Sequence, residues 1–118
     1  MYKISIKSNF SAAHHLFDYN GNCENIHGHN FKVIVTAGYE SVPSSGMAID
    51  FRELKDKTNN VLKSLDHKDI NKLDYFKKIN PTSENIAKYI FDRVSQQDIP
   101  VLEVTVFETD KYSASYSK

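Results

Sequence analysis

Cysteine is nearly absent from this chain: Cys23 is the only one in 118 residues. That excludes an intramolecular disulfide framework and suits a reducing compartment. Neither sign of charge is in excess, since fifteen basic residues balance fifteen acidic ones. No global field therefore favours nucleic acid or an anionic membrane, and an anionic ligand must be met by local lysines or a metal. No segment approaches the roughly 20 apolar residues of a membrane span. The stretch Met1-Tyr2-Lys3-Ile4-Ser5-Ile6-Lys7 alternates in polarity where a secretory leader would be apolar. Internal repeats and low-complexity tracts are missing too. These absences read as a cytoplasmic protein with neither membrane nor nucleic acid as partner. One domain, residues 1–118, is expected, burying about two-thirds of its unfolded surface.

What is present is patterned. Over residues 2–10, Tyr2, Ile4, Ile6 and Phe10 alternate with Lys3, Ser5 and Lys7, the period of a half-buried strand. Asp18-Tyr19-Asn20-Gly21-Asn22 reads as a loop bending at Asn20-Gly21. A second strand is expected from Asn30 to Tyr39, with Phe31, Val33, Val35 and Ala37 on one face. Asp50 marks a helix start, with Glu53 placed for a capping box. Phe51, Leu54, Val61, Leu62 and Leu65 then form an apolar stripe about 15 residues long. Thr82 caps a second helix with Glu84 in its first turn, and Ile86, Ala87, Ile90, Phe91 and Val94 are its stripe. Val101 to Phe107 and Tyr112 to Tyr116 are two further strands, joined by a turn near Asp110-Lys111.

The order β-β-α-α-β-β predicts an α+β domain: a four-stranded antiparallel sheet with both helices on one face. The other face is left open, and self-association is the simplest way to cover it.

The chemistry concentrates in Cys23-Glu24-Asn25-Ile26-His27-Gly28-His29. On an extended backbone His27 and His29 send their rings to one face, where two imidazoles can hold two corners of a zinc tetrahedron. They are in phase with Phe31, Val33 and Val35. A third ligand is expected from His14 or His15, which face opposite ways on an extended chain. Three histidines leave one zinc position open, the pattern of a catalytic site. Cys23 has three readings: a fourth ligand that would close the site, an inert thiol, or a base near the metal. Asp66 and His67 read either as a solvated turn or as a carboxylate orienting an imidazole for proton transfer. Glu108, at the end of a core strand, can pair with two N–H donors of a heterocycle or simply face water.

The segments FSAAHHL, CENIHGH, SGMAIDF, SLDHKDIN, NPTSENIAKYI and VTVFET stand in one order and spacing along the whole chain. In these segments the chain resembles the 6-pyruvoyl-tetrahydropterin synthase / 6-carboxytetrahydropterin synthase family. The resemblance implies a tunnelling fold, in which three subunits close their sheets into a barrel and two trimers stack into a homohexamer. It implies Zn2+ on His14, His27 and His29, with Cys23 as catalytic thiol and Asp66 with His67 as proton-transfer pair. Glu108 and Thr82 would bind the substrate, 7,8-dihydroneopterin triphosphate, at sites between subunits. The implied activity is that of a lyase, with three outcomes in such enzymes. They are 6-carboxy-5,6,7,8-tetrahydropterin on the route to queuosine, 6-pyruvoyl-tetrahydropterin on the route to tetrahydrobiopterin, and 6-hydroxymethyl-7,8-dihydropterin for folate. The folate group resembles ExxHGH where the others resemble CxxxHGH, and CENIHGH satisfies both. Glu24 is thus either an incidental loop residue or a second catalytic group in a dual enzyme. The competing class is a non-catalytic zinc-binding module with Cys23 as the closing ligand.

Overall fold

The alternation in the first strand runs past Phe10 to His14. In the computed structural model, which describes residues 1–17 and 25–118, β1 spans Tyr2–His14 and β2 spans His27–Tyr39. They pair antiparallel in unbroken register from Tyr2↔Tyr39 to His14↔His27. Both strands are therefore longer at the histidine end than the apolar residues alone indicate. His27 and His29 belong to β2 itself, not to its approach. Helix α1 is Phe51–Leu62, helix α2 is Ser83–Ser95, β3 is Val101–Thr109 and β4 is Tyr112–Ser117. The sheet order is β1-β2-β3-β4, all antiparallel, so β1 and β4 are its edges.

One sheet face and both helices share a single core. Ile6, Phe10 and Ala12 of β1, Phe31, Val33 and Val35 of β2, and Val104 and Val106 of β3 are buried in it. Leu54, Val61 and Leu62 of α1 meet Ile86, Ile90 and Val94 of α2 there. The stripe on α1 differs from expectation at both ends. Phe51 is 65% exposed, and Leu65 is buried in the turn after the helix. Thr58 fills the inward position between Leu54 and Val61. The Asp50 side chain caps α1 by accepting from the Arg52 amide at 2.8 Å, while Glu53 reaches Lys57 at 3.2 Å instead of closing a capping box. Thr82 caps α2 as expected, accepting from the Asn85 amide at 3.2 Å.

The link between the helices is folded as well. Two single-turn 3-10 helices, Ile70–Lys72 and Asp74–Phe76, bury Ile70 and Phe76. Just before them, the chain lies along the outer edge of β1. The His67 amide donates to the Ser11 carbonyl at 2.6 Å, and the Ala13 amide donates to the Lys68 carbonyl at 2.9 Å.

The open face of the sheet is largely polar. Side chains pair across it: Ser5 with Thr36 at 2.7 Å, Ser11 with Asn30 at 2.6 Å, and Thr105 with Ser115 at 2.7 Å. Water can cover such a face, so it creates no apolar deficit that a partner must fill. Exposed apolar side chains gather elsewhere. Tyr2, Met47 and Phe51, with Ile4, Val42 and Ile49, line a groove of about 520 Å3. No helix among the described residues is long and apolar enough to cross a membrane.

Candidate metal centre

Register and phase bring three histidines and a carboxylate to one point. His14 directly faces His27 across the β1–β2 pair, and His29 faces Ala12. Even positions of β1 and odd positions of β2 point into the core, so His14, His27 and His29 continue the inward rows of Phe10, Ala12, Phe31 and Val33. Glu108 extends the inward row of Val104 and Val106 on β3. The ligand atoms of His14, His27, His29 and Glu108 all lie within 4.8 Å of one another.

The floor of this cluster is aromatic. Phe31 is fully buried and stacks on Phe10 at 4.8 Å. The rings of His14 and His29 stand edge-on to Phe31 at 5.4 and 5.6 Å. His14 is 1% exposed, while Glu108 is about one-third exposed at the open side.

Hydrogen bonds at the far ring nitrogens set the tautomers. His14 Nδ1 donates to the Pro81 carbonyl at 2.8 Å, and His27 Nδ1 donates to the Asn25 carbonyl at 3.0 Å. In the neutral ring each Nε2 then carries a lone pair aimed at the cluster. Glu108 Oε1 lies 2.9 Å from His29 Nε2, 3.3 Å from His14 Nε2 and 3.7 Å from His27 Nε2. Lone pairs and a carboxylate converging this closely repel one another unless a proton or a metal ion lies among them, and three imidazoles around one carboxylate suit the metal ion. Zinc–ligand bonds of about 2.0–2.1 Å in a tetrahedron would put ligand atoms roughly 3.3 Å apart, within the observed spread. Nitrogen and oxygen donors of this kind suit zinc and its first-row neighbours. The four residues fit the metal expected from the sequence.

Two asparagines hold the chain as it leaves the centre. Asn71 accepts from the His15 amide and donates to the His15 carbonyl, both at 2.9 Å. Asn80 does the same for Phe17, at 3.1 and 2.8 Å. Each side chain stands in for a strand partner. The backbone at His15 is therefore pinned, and it is His14 that turns inward.

Comparison with known proteins gives this geometry a context. Residues 3–118 match the family described as 6-pyruvoyl tetrahydropterin synthase. The chain belongs to that family. It is 34% identical over 131 residues to human 6-pyruvoyl tetrahydrobiopterin synthase, covering 97% of this chain and 90% of that protein. It is also 34% identical over 122 residues to the 6-carboxy-5,6,7,8-tetrahydropterin synthase of Synechocystis, covering 98% and 93%. Its fold superposes on the solved Caenorhabditis elegans 6-pyruvoyl tetrahydropterin synthase with a TM-score of 0.86 at 31% identity, covering 99% of this chain and 95% of that one.

In this member of the 6-pyruvoyl tetrahydropterin synthase family, Asp66 and His67 form a dyad on the edge of β1. His67 Nδ1 lies 3.0 Å from Asp66 Oδ2, and Asp66 Oδ1 accepts from the Ser11 amide at 2.8 Å. The Ser11 amide, with His67 adding to it, holds the Asp66 carboxyl below the usual carboxylate range. Asp66 is thus an anion that orients its neighbour. The His67 side chain is 82% exposed, and its backbone has φ 57°, a left-handed conformation held by the Ser11 carbonyl. Asp66 and His67 stand apart from the four clustered ligands, though His67 and His29 border one open cavity of about 540 Å3. Thr82 follows Pro81, the acceptor for His14, so the cap of α2 lies next to the residue that holds one histidine of the cluster. Cys23 and Glu24 lie outside the described residues. Sequence reasoning missed Pro81, Asn25, Asn71 and Asn80, which act through backbone carbonyls or on backbone far away in sequence. It read Glu108 as an anchor for a heterocycle or as a residue facing water, while its phase with Val104 and Val106 aims it at the histidines.

Proposed function

We propose that this protein is a zinc enzyme that converts 7,8-dihydroneopterin triphosphate to 6-carboxy-5,6,7,8-tetrahydropterin with loss of triphosphate and acetaldehyde. The observation that carries the reading is the convergence of His14, His27 and His29 on Glu108 in a chain of this family. Relatives named for the 6-carboxy and the 6-pyruvoyl products are equally similar to it. The absence of a charge field suits a cytoplasmic enzyme whose anionic substrate is met locally.

Zinc, when bound, supplies a Lewis acid for the hydroxyls of the substrate side chain. His14, His27 and His29 hold it, and the Pro81 and Asn25 carbonyls keep two of those rings in the required tautomer. Glu108 accepts from the N–H donors of the pterin ring, with Thr82 nearby in the substrate site, so that the side chain is presented to the metal. Cys23 removes a proton from the substrate side chain, a role supported by the match in CENIHGH. His67, oriented by anionic Asp66, returns or relays a proton. The dyad lies on the exposed edge of β1, which suits service to the site of an adjoining subunit. The edge of β4, the part of the β1 edge before Ser11 and the groove around Phe51 support self-association, for which a barrel of three chains and a hexamer of two barrels is the assembly implied.

A second reading is favoured by one feature, Glu24 beside Cys23. The enzyme would then also cleave the side chain to 6-hydroxymethyl-7,8-dihydropterin, serving folate as well as queuosine. Incubating Glu24→Gln with dihydroneopterin triphosphate tests it, since an unchanged yield of that product rules the dual activity out. Cys23→Ala separates the enzyme from a zinc-binding module. Zinc retained with turnover abolished is the result expected of the enzyme. Zinc lost together with the fold is the result expected of the module.

A further inference from the structure

Glu108 occupies a position that its proposed role does not require. An anchor for the pterin ring needs its carboxylate turned toward ring N–H donors, yet Oε1 stands 2.9, 3.3 and 3.7 Å from the three histidine Nε2 atoms. With Oε1 held among those nitrogens only Oε2 faces elsewhere, whereas two adjacent ring N–H donors are met best by both oxygens together. The side chain is one-third exposed, at the open side of a centre whose other wall is the buried Phe31. It can therefore swing on its own torsions, whereas His14 is locked by burial and by Pro81.

We infer that Glu108 is a movable fourth ligand: it caps the metal in the substrate-free enzyme and leaves when a heterocycle with adjacent N–H donors binds. This rests on the reading of the cluster as a metal centre and deepens it. The carboxylate neutralises one of the two charges of the ion and fills the position that the substrate side chain needs. Free phosphate or triphosphate would meet a capped centre. A pterin offers the carboxylate two charge-assisted hydrogen bonds in exchange for the metal, so the ring itself opens the site to its own side chain. Selectivity for the heterocycle and exposure of the metal become one event.

Cobalt(II) in place of zinc reports the ligand set by its visible absorption. The test compares intact wild-type protein with Glu108→Gln and Glu108→Ala, using 7,8-dihydropterin without a side chain as the probe. Binding of the probe is followed to saturation by its own fluorescence, and retention of the fold by circular dichroism. Expected is a loss of at least about tenfold in zinc affinity in both variants, by competition with a chelator. The cobalt spectrum of the wild type should move toward that of Glu108→Gln when dihydropterin binds, and the variant spectrum should not move. Equal zinc affinity in all three proteins overturns the inference and leaves the three-histidine centre standing. A tenfold loss with no spectral response to saturating dihydropterin also overturns it, since Glu108 is then a fixed ligand. Wild-type protein that binds neither zinc nor cobalt removes the metal-centre reading, and the inference with it.

Discussion

His14 Nδ1 donates to the Pro81 carbonyl at 2.8 Å, tying a residue of the first strand to the residue before the cap of the second helix. The bond spans 67 positions and is buried. It makes His14 a structural post, apart from its place in the cluster.

His14→Ala should therefore cost the metal-free protein about 2–4 kcal/mol, combining a cavity with an orphaned carbonyl. His27 lies on the same centre but is 35% exposed, and its removal should cost less than about 1 kcal/mol. Urea denaturation of both apo variants checks the difference. Equal losses would remove the structural role of the Pro81 bond.

Asn71 and Asn80 each satisfy both polar groups of one residue leaving β1. Asn71→Ala or Asn80→Ala should lower stability by about 1–3 kcal/mol, as backbone groups lose their partners. Amide hydrogen exchange at His15 and Phe17 should rise selectively in the matching variant. A uniform rise across the chain would mean that the clamps are not local.

The carboxyl of Asp66 is held below its ordinary value of 3.8, chiefly by the Ser11 amide. A folded-state value lowered in this way contributes stability that is complete above the ordinary value and is lost as pH falls through the lowered one. Docking of the 66–69 segment on β1 should accordingly persist through neutral and mildly acidic pH, and loosen only below the ordinary carboxylate range. NMR shifts of the Ser11 and His67 amides followed from pH 7 downward test the sign. In Asp66→Asn the low-pH transition of the Ser11 amide should vanish.

Phe51 and Leu54 fit one apolar stripe in the sequence, yet Phe51 is exposed and Leu54 fully buried. Leu54→Ala should cost about 2–5 kcal/mol. Phe51→Ser should change monomer stability by no more than about 0.5 kcal/mol. If the groove around Phe51 seats a second copy, Phe51→Ser should also shift the sedimentation profile toward smaller species. An unchanged profile would place the subunit contacts elsewhere.

Most of the architecture could be read from periodicity. The alternation of Ile4, Ile6 and Phe10, and that of Phe31, Val33 and Val35, gave the strands and the phase of the histidines. Asp50 and Thr82 gave the helix starts. Phe51 misled because a first-turn position can lie past the surface its helix packs on, and periodicity does not say where that surface ends. Thr58 was passed over because its polarity hid an inward position. The two 3-10 helices are too short to show a period, so Ile70 and Phe76 gave no warning of their burial. Within the centre, His-x-His carried its own signal. The resemblance chose His14 over His15, and the register agrees, setting His14 opposite His27. Pro81 and Asn25 contribute carbonyls, which every residue has, so no residue type could mark them.

The central claim is that the histidine cluster is the metal centre of a tetrahydropterin synthase. The most direct measurement is incubation of the purified, zinc-loaded protein with 7,8-dihydroneopterin triphosphate, with and without a chelator, and identification of the products by mass spectrometry. Expected are 6-carboxy-5,6,7,8-tetrahydropterin, acetaldehyde and triphosphate, all lost when zinc is removed and restored when it returns. Substrate recovered intact from protein with full zinc occupancy would contradict it.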